Sequence, residues 1–151
     1  MRKILVALTL LALATPLFAQ DPFAGTWKLN AEKTKYSSGT KPADVTLVIE
    51  DHENMVQVAA TGTNADGSPI SAKYTMPAKG GKATADQGDF DAITAKMVND
   101  HTRELHYMKN GKELRTRRLV VSKDGKTMTS AVKGTDAKGN KVAGTDVFDK
   151  Q

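Results

Sequence analysis

The stretch Asn64-Ala65-Asp66-Gly67-Ser68-Pro69-Ile70-Ser71-Ala72-Lys73-Tyr74-Thr75-Met76 sets a turn beside a strand. Asp-Gly supplies the positive φ that a tight turn requires. After it, Ile70, Ala72, Tyr74 and Met76 alternate with Ser71, Lys73 and Thr75, the period of a strand with one buried face. The same grammar recurs from Val45 onward, in runs near 45–50, 55–61, 69–76, 90–98, 102–109, 112–122, 127–133 and 141–148. Turn chemistry separates them at 51–54, 64–67, 110–111, 123–126 and 136–139. No convincing long helix exists, although Ala31 to Lys35 has room for one turn. Lys79-Gly80-Gly81-Lys82 reads either as a loop at the mouth of the sheet or as a connection between two halves of the chain.

Leu47 to Ala72 lies ungapped over Leu119 to Gly144 at a constant offset of 72. Leu47-Val48-Ile49 meets Leu119-Val120-Val121, and Gly62-Thr63-Asn64-Ala65-Asp66-Gly67 meets Gly134-Thr135-Asp136-Ala137-Lys138-Gly139. Two accounts stand: one meander used twice, or two hairpins that chose similar turn residues. Under either, the pattern predicts an all-β fold, a single antiparallel up-and-down β-barrel of eight to ten strands. Closure removes the edges along which strands from different molecules pair.

Met1-Arg2-Lys3 followed by the apolar run Ile4 to Ala14 has the form of a signal peptide, too short to span a bilayer as a helix. Thr15-Pro16 ends the run, and Ala19 offers a small residue at the cut. The expected division is a signal peptide over 1–19 and a barrel domain over 20–151, placing the product in the periplasm or outside the cell, with no stable membrane insertion. Loss of Arg2 and Lys3 leaves 20 basic against 17 acidic residues, an excess of three in 132 residues. That excess is scattered among acidic neighbours and argues against nucleic acid as a partner. No cysteine is present, so packing and strand pairing carry the fold without disulfides. Leu, Ile, Val and Phe number only 21 in those 132 residues, which means either small side chains around a cavity or modest stability.

Phe23-Ala24-Gly25-Thr26-Trp27-Lys28-Leu29-Asn30 opens the mature chain with glycine, one residue, then tryptophan. This resembles the opening motif of lipocalins and related calycins, in which the tryptophan plugs the closed end of the barrel. With Ser122 to Met128 and the ending Val147 to Gln151, the segment also resembles the small uncharacterised lipocalin-like proteins that bacteria export. The resemblance implies a fold and no established activity. The Thr-Asp-Tyr element of true lipocalins and an Arg-x-Tyr pair of the fatty-acid-binding type are missing, so lipid or retinoid binding is not carried over.

On the offset of 72, Val45, Leu47 and Ile49 correspond to Arg117, Leu119 and Val121, which turns Arg115 and Arg117 inward near one mouth of the barrel. A guanidinium there is placed to clamp a carboxylate with two parallel hydrogen bonds; its blander fate is to cover Trp27 or to sit solvated at the rim. Tyr74 and Tyr107, with Met76, Met97, Met108 and Met128, are candidate lining for an apolar pocket or simply core filling. His101 and His106 face opposite sides of one strand and His52 lies in a distant turn, so no metal site is expected; Glu104 and His106 share a face within reach of a hydrogen bond. No nucleophile elbow, phosphate loop or paired carboxylates appear, so neither enzyme activity nor a cofactor is expected. The sequence favours a binding module for a small amphiphilic or hydrophobic ligand. Its rival is a ligand-free structural or protein-interaction barrel of the cell envelope.

Overall fold

A computed structural model describes residues 21–151; the segment 1–19, which the sequence pattern reads as a signal peptide, lies outside them. Eleven strands form: β1 (Gly25–Leu29), β2 (Lys35–Ser38), β3 (Pro42–His52), β4 (Met55–Asn64), β5 (Pro69–Pro77), β6 (Gly81–Gln87), β7 (Ala92–Asn99), β8 (Thr102–Lys109), β9 (Lys112–Val121), β10 (Thr127–Thr135) and β11 (Lys141–Lys150). From β3 to β11 each strand pairs with the next, all antiparallel. β1 lies between β3 and β11 and closes a barrel of ten strands, with Trp27 opposite both Leu47 and Lys150. The short β2 adds on to β11 at Ala143–Thr145.

Between β1 and β2 the chain leaves the sheet in one turn, as the Ala31–Lys35 reading anticipates. Thr34 N donates to Asn30 O (3.0 Å), while Asn30 N donates to Val147 O (2.7 Å) and the Thr34 hydroxyl accepts from Val147 N (3.0 Å). β1 and β2 thus act as one interrupted partner of β11. At Asn110-Gly111 both residues have positive φ, 50° and 75°, the two-residue hairpin turn the dipeptide prescribes.

The doubled meander survives in three dimensions. Met55 and Thr127 open β4 and β10, and Pro69 and Lys141 open β5 and β11, all at the offset of 72. Gly62 and Gly134 hold the same place in both halves. A Cβ on Gly62 would lie 1.9 Å from the carbonyl oxygen of Asp44, and one on Gly134 would lie 2.3 Å from that of Leu114. Their φ values, 157° and 139°, let each strand press against its neighbour and bend the wall.

Phe23 and Trp27, fully buried, fill the end of the barrel where β1 begins. The Trp27 indole donates to Phe23 O (2.8 Å), Lys150 Nζ stands 5.0 Å above the indole, and the Arg103 guanidinium stacks 4.1 Å above the Phe23 ring. Lys79-Gly80-Gly81-Lys82 belongs to this plugged end: Ala78 N donates to Asn54 O (2.8 Å), and the turn leads into β6. It is therefore not a loop at the mouth; it joins β5, the last strand of the first meander, to the strands that lead to the second. β6 itself falls outside the strand runs read from sequence, because its inward residues are only Ala83 and Ala85.

Gly62→Ala and Gly134→Ala should each lower stability by about 2 kcal/mol or more, since the added methyl meets backbone rather than a movable side chain. Urea unfolding followed by Trp27 fluorescence reads this directly. Gly67→Ala serves as comparison, because its Cβ would meet nothing within 4 Å and only its φ of 82° opposes the change.

Candidate functional site

Alternation along the strands turns Val45, Leu47 and Ile49 of β3, Val58 and Ala60 of β4, and Ile70, Ala72, Tyr74 and Met76 of β5 to the interior. Ala60 stands opposite Ala72 in the register, so the wall between β4 and β5 is thin there. That thinness leaves a cavity of about 450 Å³. The turns Asn64–Ser68 and Asp136–Asn140 and the Gly88–Asp91 loop mark its mouth. The low count of large apolar residues is thus explained by wall residues chosen small around a space.

The four residues singled out from sequence, Arg115, Arg117, Tyr74 and Tyr107, all line this cavity. Arg117 Nη1 donates to Asp146 Oδ2 (2.5 Å) and Ser130 Oγ (2.9 Å), and Tyr36 Oη donates to the same Asp146 oxygen (3.2 Å). Tyr36 reaches this position because its ring lies over Gly144, where a Cβ would come within 2.4 Å of Tyr36 Cδ1. Nearer the mouth, Arg115 makes two bonds to Asp89, at 2.8 and 2.5 Å, and stands 5.1 Å over the Tyr107 ring. Asp89 adjoins Phe90, which turns inward against Tyr107 and Tyr74, with ring centres 4.8 and 6.0 Å apart. Arg115 therefore holds the loop that carries an aromatic plug. A third inward arginine, Arg103, pairs with Asp21 at the plugged end and lines the cavity there.

Each inward arginine thus has its own carboxylate. Burial opposes the Arg117 charge, but Asp146, with Tyr107 and Tyr36, holds that charge more firmly than an ordinary arginine's. Burial also pushes the Tyr36 hydroxyl up to about 12, Arg117 opposing and Asp146 adding to the shift. Tyr74 is raised well above the usual tyrosine range by burial first and by Tyr107 second.

Asp146, Asp89, Asp21, Tyr36, Ser130 and Arg103 join the site without standing out in the sequence pattern. Asp146 offered one signal, a carboxylate on the inward parity of β11, two residues before the buried Phe148. His106 bonds through Nδ1 to Glu113 Oε2 (2.6 Å), not to Glu104, which pairs with Arg118. Among the described residues no group of three or more His, Asp or Glu side chains is placed to hold a metal ion.

The chain is a closed, ten-stranded antiparallel barrel with an internal cavity. Among solved structures it is similar to EF1p2_mFAP2b bound to DFHBI, at 12% identity over 86% of this chain and 94% of that one, with a TM-score of 0.51. A redesigned beta barrel, mFAP1, bound to DFHBI, aligns at 14% identity over 85% of this chain and 95% of that one, with a TM-score of 0.48. No protein-family profile matches the sequence, and comparison with curated proteins gives no match.

Two outcomes are expected from the buried pairs. Asp146→Ala should cost about 3 kcal/mol because it leaves Arg117 inside without its counter-charge, whereas Arg117→Met combined with Asp146→Leu should be close to neutral; chemical denaturation of the three proteins checks the ranking. Tyr36 favours its protonated form in the folded state, so its contribution is complete below pH 10 and is lost as pH rises through about 12. Stability measured against pH should fall across that window, with a shallower fall in Tyr36→Phe.

Proposed function

We propose that this protein is an exported binding module of the lipocalin-like kind, related to the small barrels that bacteria secrete, and that it holds a small amphiphilic or hydrophobic ligand. The observation that carries the reading is the cavity: about 450 Å³, walled by Val45, Leu47, Ile70 and Phe148, with a few convergent polar groups. Concave, mostly apolar space with sparse polar anchors is the usual form of a small-molecule site. Filling a barrel with its own side chains would have removed that space. The similar barrel EF1p2_mFAP2b was solved bound to DFHBI.

No catalytic role enters this proposal. The three inward arginines are each engaged with a carboxylate, and the reading requires a container rather than a reaction centre. The segment Met1–Ala19 is taken as the export signal and the periplasm or exterior as the working compartment.

Native mass spectrometry of the protein recovered after export, followed by denaturing release, tests the proposal. A stoichiometric small apolar molecule is expected. A bare protein mass that does not shift after exposure to membrane lipid extract would sink the carrier reading and favour a barrel that works through its outer surface.

A further inference from the structure

We infer that the cavity selects an uncharged ligand with a polar oxygen, and that Asp146 is the residue that keeps carboxylates out. The inference rests on the carrier reading above and deepens it.

Three arginines face the interior, an arrangement that by itself favours fatty acids or other organic anions. Each is already matched: Arg103 by Asp21, Arg115 by Asp89 and Arg117 by Asp146. The remaining charges along the lining stand at the mouth, where Asp66 and Asp136 outnumber Lys138. The cavity therefore offers no uncompensated positive charge to an entering anion.

Asp146 is the decisive member because of its place. Its side chain is 3% exposed, and it touches Arg117, the arginine deepest on β9, while Arg117 keeps 24% of its side-chain surface open. A ligand oxygen has room to approach that guanidinium. A neutral hydroxyl or carbonyl accepts a hydrogen bond there without disturbing the pair. A carboxylate reaching the same donors would stand within a few ångströms of the Asp146 carboxylate in a poorly solvated space, where like charges repel strongly. A ligand ammonium fares no better, since it would meet the Arg117 charge first, and the one Asp146 oxygen without a partner, Oδ1, is buried out of its reach.

The barrel wall is apolar enough to take an alkyl chain, so decanol, decanoate and decylammonium isolate the head group. Calorimetric titration of the exported protein at neutral pH should show decanol binding at least about tenfold more tightly than either ion. Asp146→Asn keeps a hydrogen-bonding side chain beside Arg117 but removes the competing charge. In that variant the decanoate-to-decanol affinity ratio should rise at least about tenfold. Arg117→Met with Asp146→Leu removes both charges and should leave the ratio at or below the wild-type value. If Asp146→Asn does not fold, the wild-type ranking and the double variant decide the matter.

Decanoate or decylammonium binding the wild type as tightly as decanol overturns the inference while leaving the carrier reading intact. So does an Asp146→Asn variant that folds and gains nothing for decanoate. Failure of all three compounds to bind the wild type overturns both.

Discussion

The bonds between β1 and β11 are the constraint on which the barrel depends. Nine strands pair with their sequence neighbours and would form an open sheet whatever the N-terminal segment did. Only Trp27–Leu29, set against Phe148–Lys150, turns that sheet into a closed wall. Gln151 N donating to Thr26 O (3.0 Å) extends the same seam, and on the other side of β11 Lys150 N donating to Lys126 O (2.9 Å) ties the strand's end to the start of β10. Closure is also what gives the tryptophan a place to be buried. Because Trp27 sits in the closing strand, its apolar area rewards the long-range pairing that joins the two ends of the chain.

A second constraint follows from enclosing space. An interior that is partly empty cannot rely on dense side-chain contact throughout, and here the upper half relies on ion pairs with directional bonds. Arg115–Asp89 fixes the loop that inserts Phe90, and Arg117–Asp146 links β9 to β11, with Tyr36 drawn in from β2. These pairs give the mouth a defined form at a cost in desolvation that purely apolar packing would avoid. Their effect is to specify shape and charge rather than to add much stability.

Much of this was legible from residue order alone. Turn dipeptides such as Asn110-Gly111, the alternation after Asp66-Gly67, and the recurrence of Gly62 as Gly134 lead to an up-and-down barrel without any structural knowledge. The inward parity of Arg115 and Arg117 was also readable, since register propagates side-chain direction along a strand. Their carboxylate partners were not. Asp89 and Asp146 lie 26 and 29 residues from Arg115 and Arg117 and meet them only through the register of intervening strands, while Asp21, 82 residues from Arg103, meets it only once the barrel closes. β6 is illegible in the residue pattern because a strand whose inward residues are alanines carries no hydrophobic signal. Glu104 shares a face with His106, as the alternation requires, but Arg118 takes Glu104 and the bond of His106 goes across to Glu113 on β9.

Gly62 and Gly134 carry a further consequence. Because the closest approaches in the wall are made by backbone, at positions where no side chain fits, the cross-section of the barrel is set by main-chain geometry and hardly by what projects inward. The lining is then free to drift: alanines at 60 and 72 can be enlarged, or the polar cluster recharged, without redrawing the container. A scaffold of this sort separates the heredity of form from the heredity of preference, so descendants of one ancestral barrel can diverge in cargo while their backbones remain superimposable.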